Sequence, residues 1–183
     1  MRNKYSILII LAIFLANYSI FAQTKFTEQK AGNIIYMSIP SYLVKTKDLN
    51  DSAILQYMNS TKEAYLVVLD DSKAELESLG KKYEGPAEFH QSIVKPLAEG
   101  LKNGKETAKK NFQVGTTKFS QSTLSGLFTS SSGSEFDIIY LVTCLETPDN
   151  FYQILCWSTK EFYDGLAADF DKISRSLKES DCK

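Results

Sequence analysis

Five consecutive residues, Tyr65-Leu66-Val67-Val68-Leu69, are all apolar. Successive side chains of a strand point to opposite sides, so a strand without alternation must be covered on both faces. That run alone demands a layer above the sheet and a layer below it. The sequence supplies the layers. Phe162, Leu166, Phe170, Ile173 and Leu177 recur at steps of four and three, which places them on one helical stripe. Ser158 and Glu161 read as the capping box that opens this helix. A second stripe, Phe89, Ile93, Leu97 and Leu101, follows Pro86, which sits where a first-turn proline belongs. Pro96 within that stripe predicts a kink or an early end. A third, short helix is predicted over Lys73 to Leu79, closed by Gly80.

Strand-like runs fill the remainder. Thr24–Gln29 and Ile34–Ile39 flank the turn Lys30-Ala31-Gly32-Asn33, and Pro40 ends the second of them. Ala53–Met58 pairs with Ala64–Leu69 across Asn59-Ser60-Thr61-Lys62. Phe112–Thr117, Thr123–Thr129, Phe136–Leu145 and Phe151–Trp157 follow, the last two joined by the turn tetrad Thr147-Pro148-Asp149-Asn150. Short turns between consecutive strands imply antiparallel pairing. The expected fold class is α+β, an antiparallel β-sheet packed between α-helices as an α/β/α sandwich. With 43% hydrophobic and 23% charged residues the chain is compositionally an ordinary globular one.

Met1 to Ala22 reads as a signal peptide. Arg2 and Lys4 precede the apolar run Ile7–Ala16, and Ser19-Ile20-Phe21-Ala22 offers a cleavage site before Gln23. The run is about half the length a membrane-spanning helix requires. One domain over residues 23–183 is expected after processing, exported to the periplasm or the extracellular space, with no transmembrane segment. Its formal net charge would move from −1 to −3 with the loss of Arg2 and Lys4. A nucleic-acid partner is not expected, because such proteins carry a basic excess.

Few residues point to chemistry. His90 is the only histidine, and no nucleophile elbow or clustered set of zinc ligands accompanies it. It reads as a helix-surface or boundary residue. Asp48, Asn50 and Ser52 begin like a calcium loop, but Ala53 stands where glycine is required and Asn59 where the closing glutamate belongs. Lys102, Lys105, Lys109 and Lys110 read as a solvated helix end. No catalytic, metal or cofactor-binding residue is assigned. Cys144 and Cys156 lie on adjacent strands either side of Pro148. A three-residue loop centred on Asn150 would pair them directly and permit a disulfide, whereas a tighter or shifted turn would leave two buried thiols. Cys182 falls in the tail. Ser52, within Asp51-Ser52-Ala53, is a candidate glycosylation position, and Asn59-Ser60-Thr61 fits the N-glycosylation sequon.

Three stretches resemble the Mog1/PsbP-like superfamily: Tyr36-Met37-Ser38-Ile39-Pro40, Lys62-Glu63-Ala64-Tyr65-Leu66-Val67-Val68-Leu69-Asp70, and Phe151-Tyr152-Gln153-Ile154-Leu155-Cys156-Trp157-Ser158 with the helix that follows it to Leu177. The tryptophan common after the early proline is absent, and Tyr42 stands nearby. The resemblance implies an antiparallel sheet between helices and a small non-enzymatic accessory protein. Two readings of function follow. The first is a secreted or periplasmic binding or accessory module for an unknown protein or small ligand, held at an open sheet edge or in a groove between the sheet and the Pro86–Lys102 helix. The second is a hydrolase-type enzyme with a carboxylate/His site, for which Asp70, Asp71 and His90 would have to converge in one pocket. A purely structural envelope role is a variant of the first.

Overall fold

The computed structural model describes residues 24–31 and 35–179. The signal-peptide reading, Gly32-Asn33 of the first turn and Cys182 lie outside the described residues. The elements in chain order are β1 (Phe26–Ala31), β2 (Ile35–Pro40), β3 (Val44–Lys45), β4 (Leu55–Asn59), β5 (Ala64–Ser72), α1 (Lys73–Ser78), α2 (Pro86–Glu99), β6 (Lys102–Glu106), β7 (Lys110–Val114), β8 (Thr117–Thr129), β9 (Glu135–Glu146), β10 (Asn150–Thr159), α3 (Lys160–Ser174) and β11 (Lys178–Glu179). Every strand pairing among the described residues is antiparallel.

Two sheets form where one was expected. The larger has the order β3-β4-β5-β10-β9-β8-β6, with β7 also on β8, and the smaller has the order β1-β2-β11. The reason lies in β2. Ile35, Met37 and Ile39 all point into the core that holds Phe170 and Leu66, so β2 serves as cover over the large sheet and not as another strand of it. The doubly apolar run behaves as its composition demands. Leu66 and Val68 face α3 and the small sheet, while Val67, between them in sequence, is only 2% exposed on the opposite side. There α2 closes over Cys144 and Phe151 through Phe89, and over Leu124 and Ile138 through Leu97.

Local departures from the sequence reading have physical causes. On α3 the apolar stripe runs through Tyr163, Leu166, Phe170 and Ile173, and Phe162 is 41% exposed. Positions 162 and 163 flank the stripe about equally, so periodicity cannot choose between them, and the sheet beneath selects Tyr163. Ser158 is buried within β10 with its Oγ unpaired, and Thr159 takes the N-cap place without a side-chain cap bond, so the capping box does not form. Pro96 is absorbed in the last turn of α2, whose C-cap Gly100 N–H donates to the Pro96 carbonyl. Leu101 then joins the core with Leu124. Lys102 and Lys105 lie on strand β6 and Lys110 on β7, not on a helix end. Gly104 is required where β6 passes α2, because a Cβ there would sit 2.4 Å from the Ala98 carbonyl oxygen.

Phe170→Ala should cost about 3–5 kcal/mol of unfolding free energy in urea, as a fully buried aromatic does, whereas Phe162→Ala should cost under about 1 kcal/mol. Gly104→Ala should lose about 1–3 kcal/mol through forced displacement of backbone. Equal losses for Phe162→Ala and Phe170→Ala would contradict the observed face.

Candidate functional site

A cleft of about 810 Å³ opens between the start of α2 and the β7–β8 hairpin. One wall is the entry to α2. Gly85 is its N-cap and Pro86 its first residue. The Glu84 N–H donates to Glu88 Oε2 at 2.8 Å, and Lys109 Nζ donates to the Ala87 carbonyl at 2.9 Å. The second bond straps the β6–β7 connection to the first helical turn. The facing wall is β7–β8, with Asn111, Gln113 and Lys118. Gly115, at φ +59°, supplies the left-handed residue of the tight turn between Val114 and Thr117. Phe112 stacks on Phe119 with centroids 5.1 Å apart. The Arg175 guanidinium lies 4.0 Å from the Phe112 ring centre and is held by Asp171 at 2.7 Å. Asn111 pairs with Ser120, which pairs with Cys144 on the α2 side of the sheet, so Phe112 belongs to the α3 side. The cleft touches Asn111, Phe112 and Gln113 in succession. Lys118 and Phe119 of β8 complete that wall, so the cleft lies where the entry to α2 meets the β7–β8 hairpin and includes its edge strand β7.

Beside α2 the sheet has a second half-open area. Met58, Tyr65, Trp157 and Tyr140 fall in one register row across β4, β5, β10 and β9, all of them half-buried. Tyr65 and Trp157 stack at 5.2 Å and 16°, and Tyr140 tilts against Trp157 at 5.6 Å. In the Tyr65–Trp157 stack each ring covers one face of the other. The row flanks the buried Val67 and Val142 on the same side of the sheet.

The residues singled out in the sequence are scattered. Asp70 and Asp71 are neighbours on β5 and point to opposite sides; Asp70 pairs with Tyr152, and Asp71 accepts a hydrogen bond from Gln153 Nε2 at 2.7 Å. His90 is 0% exposed, not a surface residue. Asp70, Asp71 and His90 do not converge. What His90 does meet escaped sequence reading. Its Nε2 is 3.2 Å from Ser122 Oγ, and its Nδ1 is 3.9 Å from Glu106 Oε1. Ser, His and Glu thus stand in a row, drawn from β8, α2 and β6. Ser122 is only 4% exposed, so a substrate has no access to its hydroxyl, and the row is a polar seam under α2. Burial pulls the His90 pKa below its ordinary value, with Glu106 and the Val142 backbone opposing and Lys109 assisting.

Cys144 and Cys156 are both free and buried. The turn is tighter than a loop centred on Asn150: Phe151 pairs with Glu146, so Cys144 faces Gln153 and Cys156 faces Leu141. The odd offset sends Cys144 to the α2 side and Cys156 to the α3 side. The direct register, and with it the disulfide, is excluded. Burial pushes both thiols up, Cys156 to about 12. Ser52 is exposed at a turn, its N–H on Asn50 Oδ1, where a modifying enzyme would reach it. The Asn59 amide is engaged at both ends, donating to the Tyr42 carbonyl at 2.7 Å and accepting from the Lys62 N–H. Asp48 and Asn50 likewise serve local turn bonds, to Thr46 and Ser52. No group of three metal-ligating side chains occurs among the described residues.

No family model and no curated protein matches the sequence. Solved structures do match in fold. Cyanobacterial PsbP (CyanoP) from Synechocystis superposes with a TM-score of 0.61 at 10% identity, over 88% of this chain and 96% of that one. The Ran-binding protein Mog1p of Saccharomyces cerevisiae gives 0.54 at 12% identity over 85% and 96%. LpqN of Mycobacterium tuberculosis, involved in cell envelope biogenesis, gives 0.50 at 10% identity over 91% and 96%. The chain has the Mog1/PsbP-like fold, as its sequence resemblance implied.

Two measurements follow. An unfolded histidine titrates near pH 6.5 and folded His90 titrates lower, so below that pH the unfolded chain binds the extra proton. Stability should be fully retained above about pH 6.5 and fall by up to about 1.4 kcal/mol per unit as pH drops toward the folded value. His90→Gln should remove the part of this slope that begins just below about pH 6.5; a wild-type profile identical to that of His90→Gln below that pH would contradict the burial of a neutral imidazole. Alkylation of Cys144 and Cys156 should require denaturant, with no mass corresponding to a bond between them.

Proposed function

We propose that this chain is an exported, non-enzymatic binding or accessory module, and that the cleft at the start of α2 receives its ligand or partner. The observation that carries this reading is the cleft itself. At about 810 Å³ it is roomy enough for a ligand, it joins apolar rings to carboxylates and carboxamides, and it includes an edge strand of the sheet. Concave sites with a few convergent polar groups over an apolar floor are the usual place for recognition. The signal-like N-terminus supports export. No helix among the described residues is long and apolar enough to cross a membrane. Fold neighbours support the accessory reading: one is a Ran-binding protein and another is involved in cell envelope biogenesis. The buried Ser122–His90–Glu106 row supports a role outside catalysis, because its nucleophile and base are sealed beneath α2.

Affinity capture from a native envelope extract tests the reading. The wild-type chain should retain a saturable partner. Ala87→Trp, which fills the cleft from the first turn of α2, should reduce that retention at least tenfold with the melting curve unchanged. Equal retention by Ala87→Trp, with loss on Trp157→Ala, would move the site to the aromatic row and overturn the placement. No retained partner in native extract would overturn the binding role.

A further inference from the structure

Resting on the cleft as the binding site, we propose that its occupant is an extended peptide segment of a partner protein, which adds to the outer edge of β7 as a further strand and turns basic side chains toward Glu84 and Glu88. The first observation is the state of the sheet edges. A strand edge exposes a row of unpaired N–H and C=O groups, and folded proteins normally blunt it. In the large sheet β3 has two residues. β6 carries Lys102 and Lys105 and its register shifts between them. β7 has neither device over its centre: Asn111, Phe112 and Gln113 pair with β8 in unbroken register, and no strand lies on its other side among the described residues.

The second observation is where the cleft runs. It reaches the edge strand, touching three successive residues of β7, Lys118 and Phe119 of β8 behind them, and the entry to α2. Val114 and Thr117 flank a two-residue loop, so they form the hydrogen-bonded pair closest to the turn. One residue back, the backbone groups of Gln113 point away from β8, and those of Asn111 do the same two residues earlier. An added strand would find its bonding partners there.

The third observation is charge. Side chains of an added strand alternate. Those that share the face of Asn111 and Gln113 stand on the α2 side, where Glu84 and Glu88 line the opposite wall. Lys118 is the cation on the β8 wall, and Lys109 is engaged by the Ala87 carbonyl. Pro86 removes one helix N–H from the wall, and Glu88 accepts from the Glu84 N–H with one oxygen only, leaving the other for a guanidinium or ammonium group. The intervening side chain would lie on the other face beside Phe112 and Phe119. The pattern recognised is basic–apolar–basic in extended form.

The probe is acetyl-Thr-Val-Arg-Val-Arg-Val-Thr-amide, compared with the same peptide carrying glutamate for arginine. Both are titrated into the isotope-labelled processed chain while backbone amide resonances are followed. The arginine peptide should shift amides of Lys110–Val114 and Glu84–Glu88, and should bind at least tenfold more tightly than the glutamate peptide. The double variant Glu84→Gln/Glu88→Gln should remove that preference. Gln113→Pro, which blocks the outward edge without taking a bond from β8, should abolish binding with the Phe119 and Thr143 resonances unmoved. No shift at 1 mM peptide, equal affinity for the two peptides, or unchanged binding by Gln113→Pro would overturn the proposal. So would a concentration-dependent dimer in sedimentation that Gln113→Pro disperses, because a second copy would then own the edge. If the native partner is lost with Ala87→Trp while the peptides fail, the cleft stands as the site and strand addition falls.

Discussion

Three adjacent strands, β5, β10 and β9, have to be kept dry on both sides, and the rest of the molecule is arranged to do it. Val67 sits between Leu66 and Val68, and Val142 between Leu141 and Thr143, all of them buried. Area removed from water is worth about 25 cal/mol per Å², so leaving either face open would forfeit several large side chains. On one side α3 and the β1-β2-β11 sheet provide the cover. On the other, α2 covers β8 and β9, and the half-buried Met58–Tyr65–Trp157–Tyr140 row shields the remainder. Among the described residues no helix covers this half of the sheet, and side chains provide the cover.

The same requirement creates the cleft. To reach Cys144 and Phe151, Phe89 must come down early in α2, which brings Glu84, Pro86 and Glu88 up to the edge of β7–β8. The hairpin is held from behind by the Arg175–Phe112–Phe119 stack. Burial under α2 also explains His90. A ring needed to fill space over Ser122 and Val142 is desolvated and held neutral, with Glu106 too far at 3.9 Å for a close ion pair. A seam built this way has triad membership without triad access.

Much of the architecture was legible because it rests on local periodicity. Leu166, Phe170 and Ile173 mark α3 in the sequence as clearly as in the structure, and the Thr147–Asn150 turn is where it was expected. Errors arose where one residue of phase decides the outcome. The facing of Cys144 and Cys156 depends on whether the register sum is even or odd, and a shift of the turn centre from Asn150 to between Pro148 and Asp149 changes it. Lys102 and Lys105 read as part of a solvated helix end, yet Gly100 ends α2 and Gly104 lets β6 pass against it. The cleft was invisible except as a groove beside the α2 stripe. Glu84 and Gln113 are ordinary polar residues nearly thirty positions apart, and nothing in their spacing marks them as neighbours.

By itself the sequence determined the class: a double-sided apolar strand, antiparallel turns and an amphipathic closing helix leave few arrangements other than a sheet between layers, because alternation and stripe width report burial directly. Only the tertiary structure decided which strands share a sheet, which side each cysteine takes, that the lone histidine is sealed inside, and that β7, paired only with β8 among the described residues, runs near two carboxylates. Those outcomes turn on long-range register and on which surface reaches a shared core first, and neither leaves a local imprint in the order of residues.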